Sequence, residues 1–281
     1  MYPAKFDYHR AKSIEEAESL YKGNADASFL AGGHSLIPAM KLRLSDPGAL
    51  VDISAIDDLK GISRDGDTIR IGALTTHTEV GTSDVVKDGC AALSEAAGMI
   101  GDPQVRNRGT IGGNMAHADP ASDYPGILMA LGATIVTSSR SINVDDFFTG
   151  LFETALNDGE IIKEIQVPVV GGDSGAAYAK FFNPSSRYAV VGVGVLVSKS
   201  NGACSSCRIG VTGAANHAFR ASAAEKSLNG SDLGDDAVSA AAEKVSEGQE
   251  MLSDLSASAN YRTHLCSVMA KRAIAQAASR S

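Results

Sequence analysis

The chain has 281 residues, of which 44% are hydrophobic and 21% are charged, and its formal net charge is −8. This composition is typical of a globular protein with room for two or three subdomains. No basic stretch could follow a nucleic-acid backbone and no apolar run reaches the length of a membrane span, which argues against nucleic-acid binding and a transmembrane segment. The first residues show no signal-peptide pattern, so we expect a cytoplasmic location.

The first part of the chain alternates short helices with short strands. Ser13 and Glu16 have the spacing of a capping box at the start of a helix. A predicted strand at 27–31 runs into Gly32-Gly33, and a second helix is predicted to begin at Leu36. We place a first subdomain at residues 1–56, closed by a strand at 50–53.

The middle part is predicted to be a second subdomain at residues 57–170. Its longest helix is expected at 90–100, followed by a long loop at 101–125 that is dense in Gly, Pro, Asn and Asp. Loops of that length inside a compact domain are usually functional. The remaining predicted elements are a strand at 68–73, the start of a short helix at 75–80, a helix at 123–131, a strand at 133–137, and strand or helix-edge segments at 142–148 and 161–168.

The last part reads as an α+β domain at residues 176–281. Its composition predicts a linker at 171–175, and strands in series favour an antiparallel sheet. Alanine-rich helical patterns follow the strands, and a small sheet covered by helices is an α+β unit. The predicted strands are 178–182, 188–197 and 207–213, and the predicted helices are 218–229, 235–250 and 258–279.

Two glycine-rich loops are the most informative feature of the sequence: Ala31-Gly32-Gly33-His34-Ser35 and Thr110-Ile111-Gly112-Gly113-Asn114. Gly-Gly lets backbone amides approach a ligand and point at a phosphate. Either loop alone could be an ordinary tight turn. Two such loops, both rich in hydroxyl and amide side chains, predict a ligand with two phosphates.

Other chemistries are less well supported. Cys204 and Cys207 form a CxxC pair, but a zinc site or cluster needs two further ligands at matched spacing, and no second pair occurs. No GxGxxG motif stands between a strand and a helix, which argues against a nicotinamide dinucleotide. No nucleophile elbow or triad is evident.

The two loops at this separation, together with a start that reads Pro3-Ala4-Lys5-Phe6-Asp7-Tyr8-His9-Arg10, resemble the FAD-binding medium subunit of the molybdenum hydroxylases. The resemblance covers nearly the whole chain and is strongest to the aerobic carbon monoxide dehydrogenase branch. It implies a two-subdomain FAD-binding domain, of the type of the vanillyl-alcohol oxidases, followed by a three-stranded antiparallel sheet with helices.

The resemblance also implies the residues that hold FAD. The first loop would bind the pyrophosphate, and the second would bind the pyrophosphate and the ribityl chain. Their residues are Ala31, Gly32, Gly33, His34, Ser35 and Leu36, then Thr110, Ile111, Gly112, Gly113 and Asn114, with Ala118 as a weaker neighbour.

Four further positions would surround the flavin ring. Asp123 would bind flavin or ribityl hydroxyls, although it could simply be a carboxylate at a helix N-terminus. Lys180 would reach the ring, where a cation tunes the reduced state, or it could be an exposed strand lysine. The backbone of Ile162 would lie against the ring. Tyr188 would stack beside the ring or control access to it, or it could pack on the sheet.

The implied function is electron transfer through non-covalent FAD, with the molybdenum cofactor and [2Fe-2S] clusters on a large and a small partner subunit. The expected assembly is a dimer of heterotrimers that oxidises carbon monoxide, and peripheral membrane association through the electron acceptor is an alternative. Aldehydes, purines or N-heterocycles are alternative substrates.

Two rival hypotheses remain open: a self-contained FAD oxidase, with flavin attached covalently to His34, and a non-catalytic assembly protein. The segments 106–108 and 183–187 depart from the relatives, which leaves the electron acceptor open.

Overall fold

The computed structural model describes residues 2–281. The first part of the chain builds β1 (Asp7–Arg10), α1 (Ile14–Lys22), β2 (Ala27–Leu30), α2 (Leu36–Lys41) and β3 (Ala49–Asp52). The three strands form a parallel sheet in the order β1-β3-β2. The Ser13 hydroxyl caps α1 by accepting from the amide of Glu16, whose carboxylate accepts from the amide of Lys12, so the predicted helix start is confirmed.

The second part builds a five-stranded antiparallel sheet with helices packed on it. The elements are β4 (Ile62–Asp65), β5 (Thr68–Gly72), α3 (His77–Thr82), α4 (Asp84–Gly98), α5 (Pro103–Arg106), α6 (Ile111–His117), α7 (Asp123–Leu131), β6 (Thr134–Thr137), β7 (Ser141–Asn143), β8 (Phe148–Gly150), β9 (Glu153–Thr154) and β10 (Ile162–Pro168). The sheet order is β4-β5-β10-β6-β7, and β8 pairs with β9 in a separate hairpin.

The expectation of one long loop at 101–125 was wrong. Asp102 caps α5 by accepting from the amide of Val105, and Thr110 caps α6 by accepting from the amide of Gly113. Both helices are short, and glycine and proline at their starts hide them from a composition argument. Tertiary contacts hold them: the amides of Ile111 and Gly112 donate to backbone carbonyls of the segment that follows β5.

The third part is an antiparallel sheet covered by helices, as predicted, but with four strands instead of three. Its elements are β11 (Ser174–Phe182), β12 (Ala189–Ser200), β13 (Ala203–Thr212), β14 (Phe219–Arg220), α8 (Ser222–Leu228), α9 (Asp235–Ala242) and α10 (Ala259–Ser279). The fourth strand occupies the first residues of the predicted helix at 218–229, because Phe219 and Arg220 pair with β13. The predicted linker is also shorter, since β11 already begins at Ser174.

Helix α7 lies between the second and third parts of the chain. All nine of its residues are buried, and a helix apolar on every side belongs inside a protein. Glycines allow the close approach: a Cβ on Gly210 of β13 would stand 2.1 Å from the carbonyl oxygen of Gly126. On Gly194 of β12 a Cβ would stand 2.6 Å from the α-carbon of Ile127. The helix thus packs directly on the backbone of the last sheet, and it carries Asp123 at its first position.

Candidate functional site

A cavity of about 640 Å³ lies where the three parts of the chain meet. This volume is in the range of small-molecule sites. Both glycine loops line it, and its wall also includes the segment 156–162, Ser122, Asp123 and residues 186–188, which directly precede β12. The predicted residues that line it are Ala31, Gly32, Gly33, His34, Ser35, Leu36, Thr110, Gly112, Gly113, Asn114, Asp123, Ile162 and Tyr188; Ile111, Ala118 and Lys180 do not.

The first glycine loop contacts the backbone just before the second loop. A Cβ on Gly32 would stand 2.1 Å from the carbonyl oxygen of Arg108, so the two backbones meet with no room for a side chain. Gly33 has φ of +76°, a conformation that L side chains rarely adopt. The His34 Nε2 lies 3.1 Å from the carbonyl oxygen of Gln104, so this ring nitrogen donates a proton to the neighbouring segment.

The two loops offer different donors to a ligand. Among the described residues, the amides from Gly32 to Ser35 have no intramolecular acceptor. The amides of the second loop are occupied: that of Gly112 donates to the carbonyl of Ala73 at 2.8 Å, and that of Gly113 donates to the Thr110 hydroxyl at 3.2 Å. We expected both loops to offer backbone amides to a phosphate, but only the amides of the first loop are free to do so. The first loop presents backbone donors, and the second presents side chains.

Asp123, which lines the cavity, forms a buried ion pair with Lys180, which does not. The Lys180 ammonium lies 2.8 Å from the Asp123 carboxylate and 3.2 Å from the carbonyl oxygen of Met99, and the Tyr178 hydroxyl donates to the same carboxylate at 2.7 Å. The Lys180 and Asp123 side chains are only 2% and 5% exposed. Lys180 is therefore not an exposed strand lysine. Burial raises the pKa of Asp123, and the ammonium and hydroxyl of its neighbours oppose that rise.

Tyr188 lies at the mouth of the cavity, just before β12. It is 43% exposed, so it is not a residue of the sheet core. Its neighbour Arg187 also lines the cavity, has φ of +60°, and places its guanidinium 5.2 Å from the centroid of the Phe182 ring. The mouth thus carries an aromatic ring and a cation on the same short loop.

Sequence reasoning missed the aromatic wall at the first sheet. Tyr21 of α1 stacks on Phe29 of β2, with ring centroids 4.6 Å apart. The Tyr21 hydroxyl donates to Asp158 at 2.6 Å, and this hydrogen bond, with burial, raises the pKa of Tyr21 to about 12. All three residues line the cavity. The hydrogen-bonded partners are 137 positions apart, so no local pattern could have revealed them.

Glu160 organises the segment that carries Asp158, and it was also missed. Its carboxylate accepts from the hydroxyls of Thr137 and Ser139, from the guanidinium of Arg140 and from the amide of Asn157. Burial alone would raise the pKa of Glu160, but these donors outweigh it and lower the pKa to about 2. The segment at the cavity wall is therefore fixed by a buried, ionised carboxylate.

One buried imidazole lies under the second loop. His77 begins α3, lines the cavity and is 4% exposed. Burial, together with the nearby charges of His34 and Arg106, lowers the pKa of His77 to about 4, so the ring is neutral at pH 7. Gly109 makes room for it, since a Cβ there would stand 2.6 Å from the His77 Nε2.

The cysteines do not form a reactive site. All four are free and buried, and burial raises the pKa of both Cys204 and Cys207. A thiol with a raised pKa is a poor nucleophile at pH 7. Across residues 2–281, no group of three or more His, Cys, Asp or Glu side chains is placed to hold a metal ion. In the same range, no helix is both long enough and apolar enough to cross a membrane.

Comparison with known proteins identifies the class. Residues 4–170 match the family model described as the FAD binding domain in molybdopterin dehydrogenase, and residues 176–277 match the CO dehydrogenase flavoprotein C-terminal domain. The chain belongs to this family of FAD-binding subunits of molybdopterin-dependent dehydrogenases. The resemblance seen in the sequence is thereby confirmed.

Individual relatives cover nearly the full chain. It is 39% identical to the carbon monoxide dehydrogenase medium chain of Hydrogenophaga pseudoflava over 98% of its own length and 97% of the relative's. It is 38% identical to the glyceraldehyde dehydrogenase medium chain of Sulfolobus acidocaldarius, over 99% and 100%. A solved carbon monoxide dehydrogenase from Hydrogenophaga pseudoflava superposes with a TM-score of 0.96 at 41% identity, covering 100% of this chain and 99% of that one.

The residues present fit FAD. The unoccupied amides from Gly32 to Ser35 suit a diphosphate, because backbone donors in a glycine turn bind anions. The contact of Gly32 with Arg108 leaves no room for a side chain at this point of the first loop. Aromatic rings of Tyr21 and Phe29 and the side chains of Asp123 and Tyr188 also line this cavity.

Proposed function

We propose that this chain is the FAD-carrying electron-transfer subunit of a heterotrimeric molybdenum hydroxylase. It would receive electrons from a [2Fe-2S] cluster on a small subunit, supplied by a molybdenum centre on a large subunit, and pass them to an external acceptor. Bound FAD supplies the chemistry, because it exchanges electrons singly or in pairs. We place the assembly, a dimer of heterotrimers, in the cytoplasm, with peripheral membrane contact where the acceptor is membrane-bound.

The observation that carries the proposal is the single cavity shared by both glycine loops. The amides of Gly32 to Ser35 would hold the diphosphate, and the Thr110 hydroxyl and Asn114 amide would hold the adjoining chain. Asp123, Ile162 and Tyr188 would surround the ring. Lys180 would not touch the ring itself. It would hold Asp123 in place, since its ammonium lies 2.8 Å from that carboxylate. Ile111 and Ala118 would support α6 without touching the cofactor.

The proposed domain bounds are residues 1–56 and 57–170 for the two FAD-binding subdomains and 176–281 for the C-terminal domain.

Non-covalent attachment is part of the proposal. The His34 Nε2 donates to the Gln104 carbonyl and so carries the proton, which leaves Nδ1 as the ring nitrogen that a covalent attachment would use. The imidazole is thus held between the loops as a hydrogen-bonding group.

The complete enzyme would oxidise carbon monoxide, because two full-length relatives at 39% identity carry that name. An aldehyde is the second candidate, since a glyceraldehyde dehydrogenase medium chain is 38% identical over the full length. The substrate would bind the large subunit, so residues of this chain do not select it.

The visible absorption spectrum of the purified chain, before and after acid precipitation, tests the proposal. A flavin spectrum that moves to the supernatant is the expected result. Colour that stays in the pellet would contradict non-covalent binding, and a colourless chain that takes up no added FAD would contradict the function. Turnover of a small substrate without partner subunits would favour the oxidase instead.

A further inference from the structure

A buried arginine of the last helix holds the backbone next to the loop that carries Tyr188. Arg262 of α10 is 3% exposed. Its Nη1 donates to the carbonyl oxygens of Val190 and Gly213, both at 2.6 Å, and its Nη2 lies 2.7 Å from the Asp254 carboxylate. Val190 is the second residue of β12, and Gly213 directly follows β13. One side chain thus holds the ends of two neighbouring strands.

The same two strand ends also hold the segment that leads into Asp123. The amide of Ala189 donates to the carbonyl of Ala121 at 3.1 Å, and the amide of Gly213 donates to the carbonyl of Pro120 at 2.7 Å. The arginine therefore fixes the backbone on which two ring-side positions depend, the tyrosine at the cavity mouth and the carboxylate at the start of α7.

The loop that carries Tyr188 is closed by its own hydrogen bonds. The amide of Asn183 donates to the carbonyl of Tyr188 at 2.8 Å, and the Asn183 side-chain oxygen accepts from the amides of Ser185 and Ser186. The side-chain amide of Asn183 donates to the Ser256 hydroxyl at 3.3 Å. We expect such a loop to move as a unit about its ends, so its position depends on what holds those ends.

Asp254 anchors the arginine from the segment that precedes α10. Its Oδ2 accepts from Arg262, and its Oδ1 accepts from the amides of Ser256 and Ala257 at 2.8 and 3.0 Å. The Asp254 side chain is half exposed, whereas the guanidinium is almost fully buried. Because a guanidinium donates in fixed directions, this pair determines where the carbonyl of Val190 lies.

We propose, building on the proposed function, that Arg262, held by Asp254, is a positioning residue for the flavin-ring end of the cavity. It fixes the distance between Tyr188 and Asp123 and thereby limits the access of an external electron acceptor to the flavin. Arg262 does not line the cavity, so it acts only through the backbone that it holds. The C-terminal domain thereby controls electron exchange at the FAD-binding domain.

Arg262→Lys and Asp254→Asn test this assignment in the FAD-loaded full-length chain. The lysine keeps the charge but lacks the fork that reaches both carbonyls and the carboxylate. The asparagine keeps the acceptor for the two amides but removes the charge. Loss of about one hydrogen bond should raise the opening of the loop about threefold to tenfold.

Two measurements report this opening. Hydrogen exchange at the amide of Ala189 should accelerate by the same factor, while amides in the middle of β12 keep their protection. The rate at which ferricyanide reoxidises the reduced flavin should rise in parallel, because the acceptor reaches the ring through the opened mouth. FAD affinity, measured by flavin fluorescence, shows that the site itself is intact.

Arg280→Lys and Glu95→Gln are the matched controls. Arg280 directly follows α10, donates to the carbonyl of Ala176 at 2.9 Å and pairs with Glu95 at 2.7 Å. This is the same combination of a strand carbonyl and a carboxylate, but Ala176 lies at the end of β11 that is far from the loop. Both controls should leave exchange at Ala189 and the ferricyanide rate unchanged.

The inference is overturned if the variants and wild type react with ferricyanide at the same rate. It is also overturned if exchange rises equally at Ala189 and in the middle of β12, since Arg262 would then only stabilise the domain. If Arg262→Lys fails to fold, Asp254→Asn decides the question. In these cases FAD binding by wild type leaves the proposed function standing. A wild-type chain that binds no FAD would overturn the proposed function, and this inference with it.

Discussion

At the scale of single residues, the Lys180–Asp123 pair is the costliest contact of the site to break. Both side chains are almost fully buried, and an isolated buried charge is strongly unfavourable. Tyr178 supplies the second hydrogen bond to the carboxylate. The pair therefore ties β11, which carries Lys180 and Tyr178, to the first residue of α7.

Lys180→Met should lower the free energy of unfolding by about 3–5 kcal/mol at pH 7, because it leaves Asp123 buried without its cation. Part of the loss should return near pH 5. The unpaired carboxyl has a folded-state pKa above its unfolded value, so the protonated form favours the fold and its benefit disappears as pH rises. Urea unfolding at both pH values measures this. Lys180→Met combined with Asp123→Asn should be less destabilised than Lys180→Met alone, and additive losses would contradict the pairing.

Glu160 leads to a prediction in which stability depends on pH in the opposite direction. Its folded-state pKa is lowered from 4.5 to about 2, so its contribution is complete above pH 4.5 and is lost as pH falls towards 2. The contribution is on the order of 2–3 kcal/mol. Glu160→Gln should lose that amount at pH 6 and should show a flatter acid limb than wild type. Equal acid limbs in urea titrations would show that folding does not lower the pKa of Glu160.

At the scale of elements, the contact of the first glycine loop can be tested by comparing alanine substitutions at a loop glycine and at a helix glycine. Gly32→Ala should cost about 1–3 kcal/mol, because its Cβ meets the backbone of Arg108 and the loops must separate. Gly98→Ala has nothing within 4 Å of the new Cβ, and it should stabilise the chain by up to about 1 kcal/mol. Thermal unfolding compares them. If Gly32→Ala matched Gly98→Ala, the loops would not be in contact.

The loops also show how far sequence reasoning reaches. Gly32-Gly33 and Gly112-Gly113 were found because their chemistry is local, and the helix starts at Ser13 and Leu36 follow from capping and periodicity. The predictions that failed depend on contacts between residues far apart in the sequence. Helix α6 depends on hydrogen bonds to the segment after β5, and β14 depends on its pairing with β13.

The same limit applies to the candidate site. Family likeness could indicate Asp123 and Lys180 as separate residues, but only the fold shows that they contact each other. The amides of the second loop could not be known to be occupied, because their acceptors lie at Ala73 and Thr75. Tyr21 and Asp158 gave no signal at all.

At the scale of the whole molecule, α7 joins the second and third parts of the chain. It packs on β12 and β13 through Gly126, Gly194 and Gly210, and its other side lies in the core of the second part. The Thr212 hydroxyl lies 2.6 Å from the carbonyl oxygen of Ser122 and 2.9 Å from that of Pro120, and it donates its single proton to this pair of acceptors. Neither half can bury this helix alone.

The chain should therefore unfold in one transition, with far-ultraviolet circular dichroism and tyrosine fluorescence changing together in urea. A fragment of residues 1–173 should fail to fold, because it would expose the side of α7 that meets the last sheet. Two separate transitions, or a soluble folded fragment, would contradict this view of α7.

The contact of Gly32 with Arg108 has a consequence for the order in which the holoprotein is made. The cavity exists only after the first sheet has docked on the second, so the unfolded chain holds no partial site for FAD. A ligand that recognises only the finished state stabilises it without guiding the chain towards it. FAD should therefore lengthen the lifetime of the native protein and leave the rate of refolding unchanged.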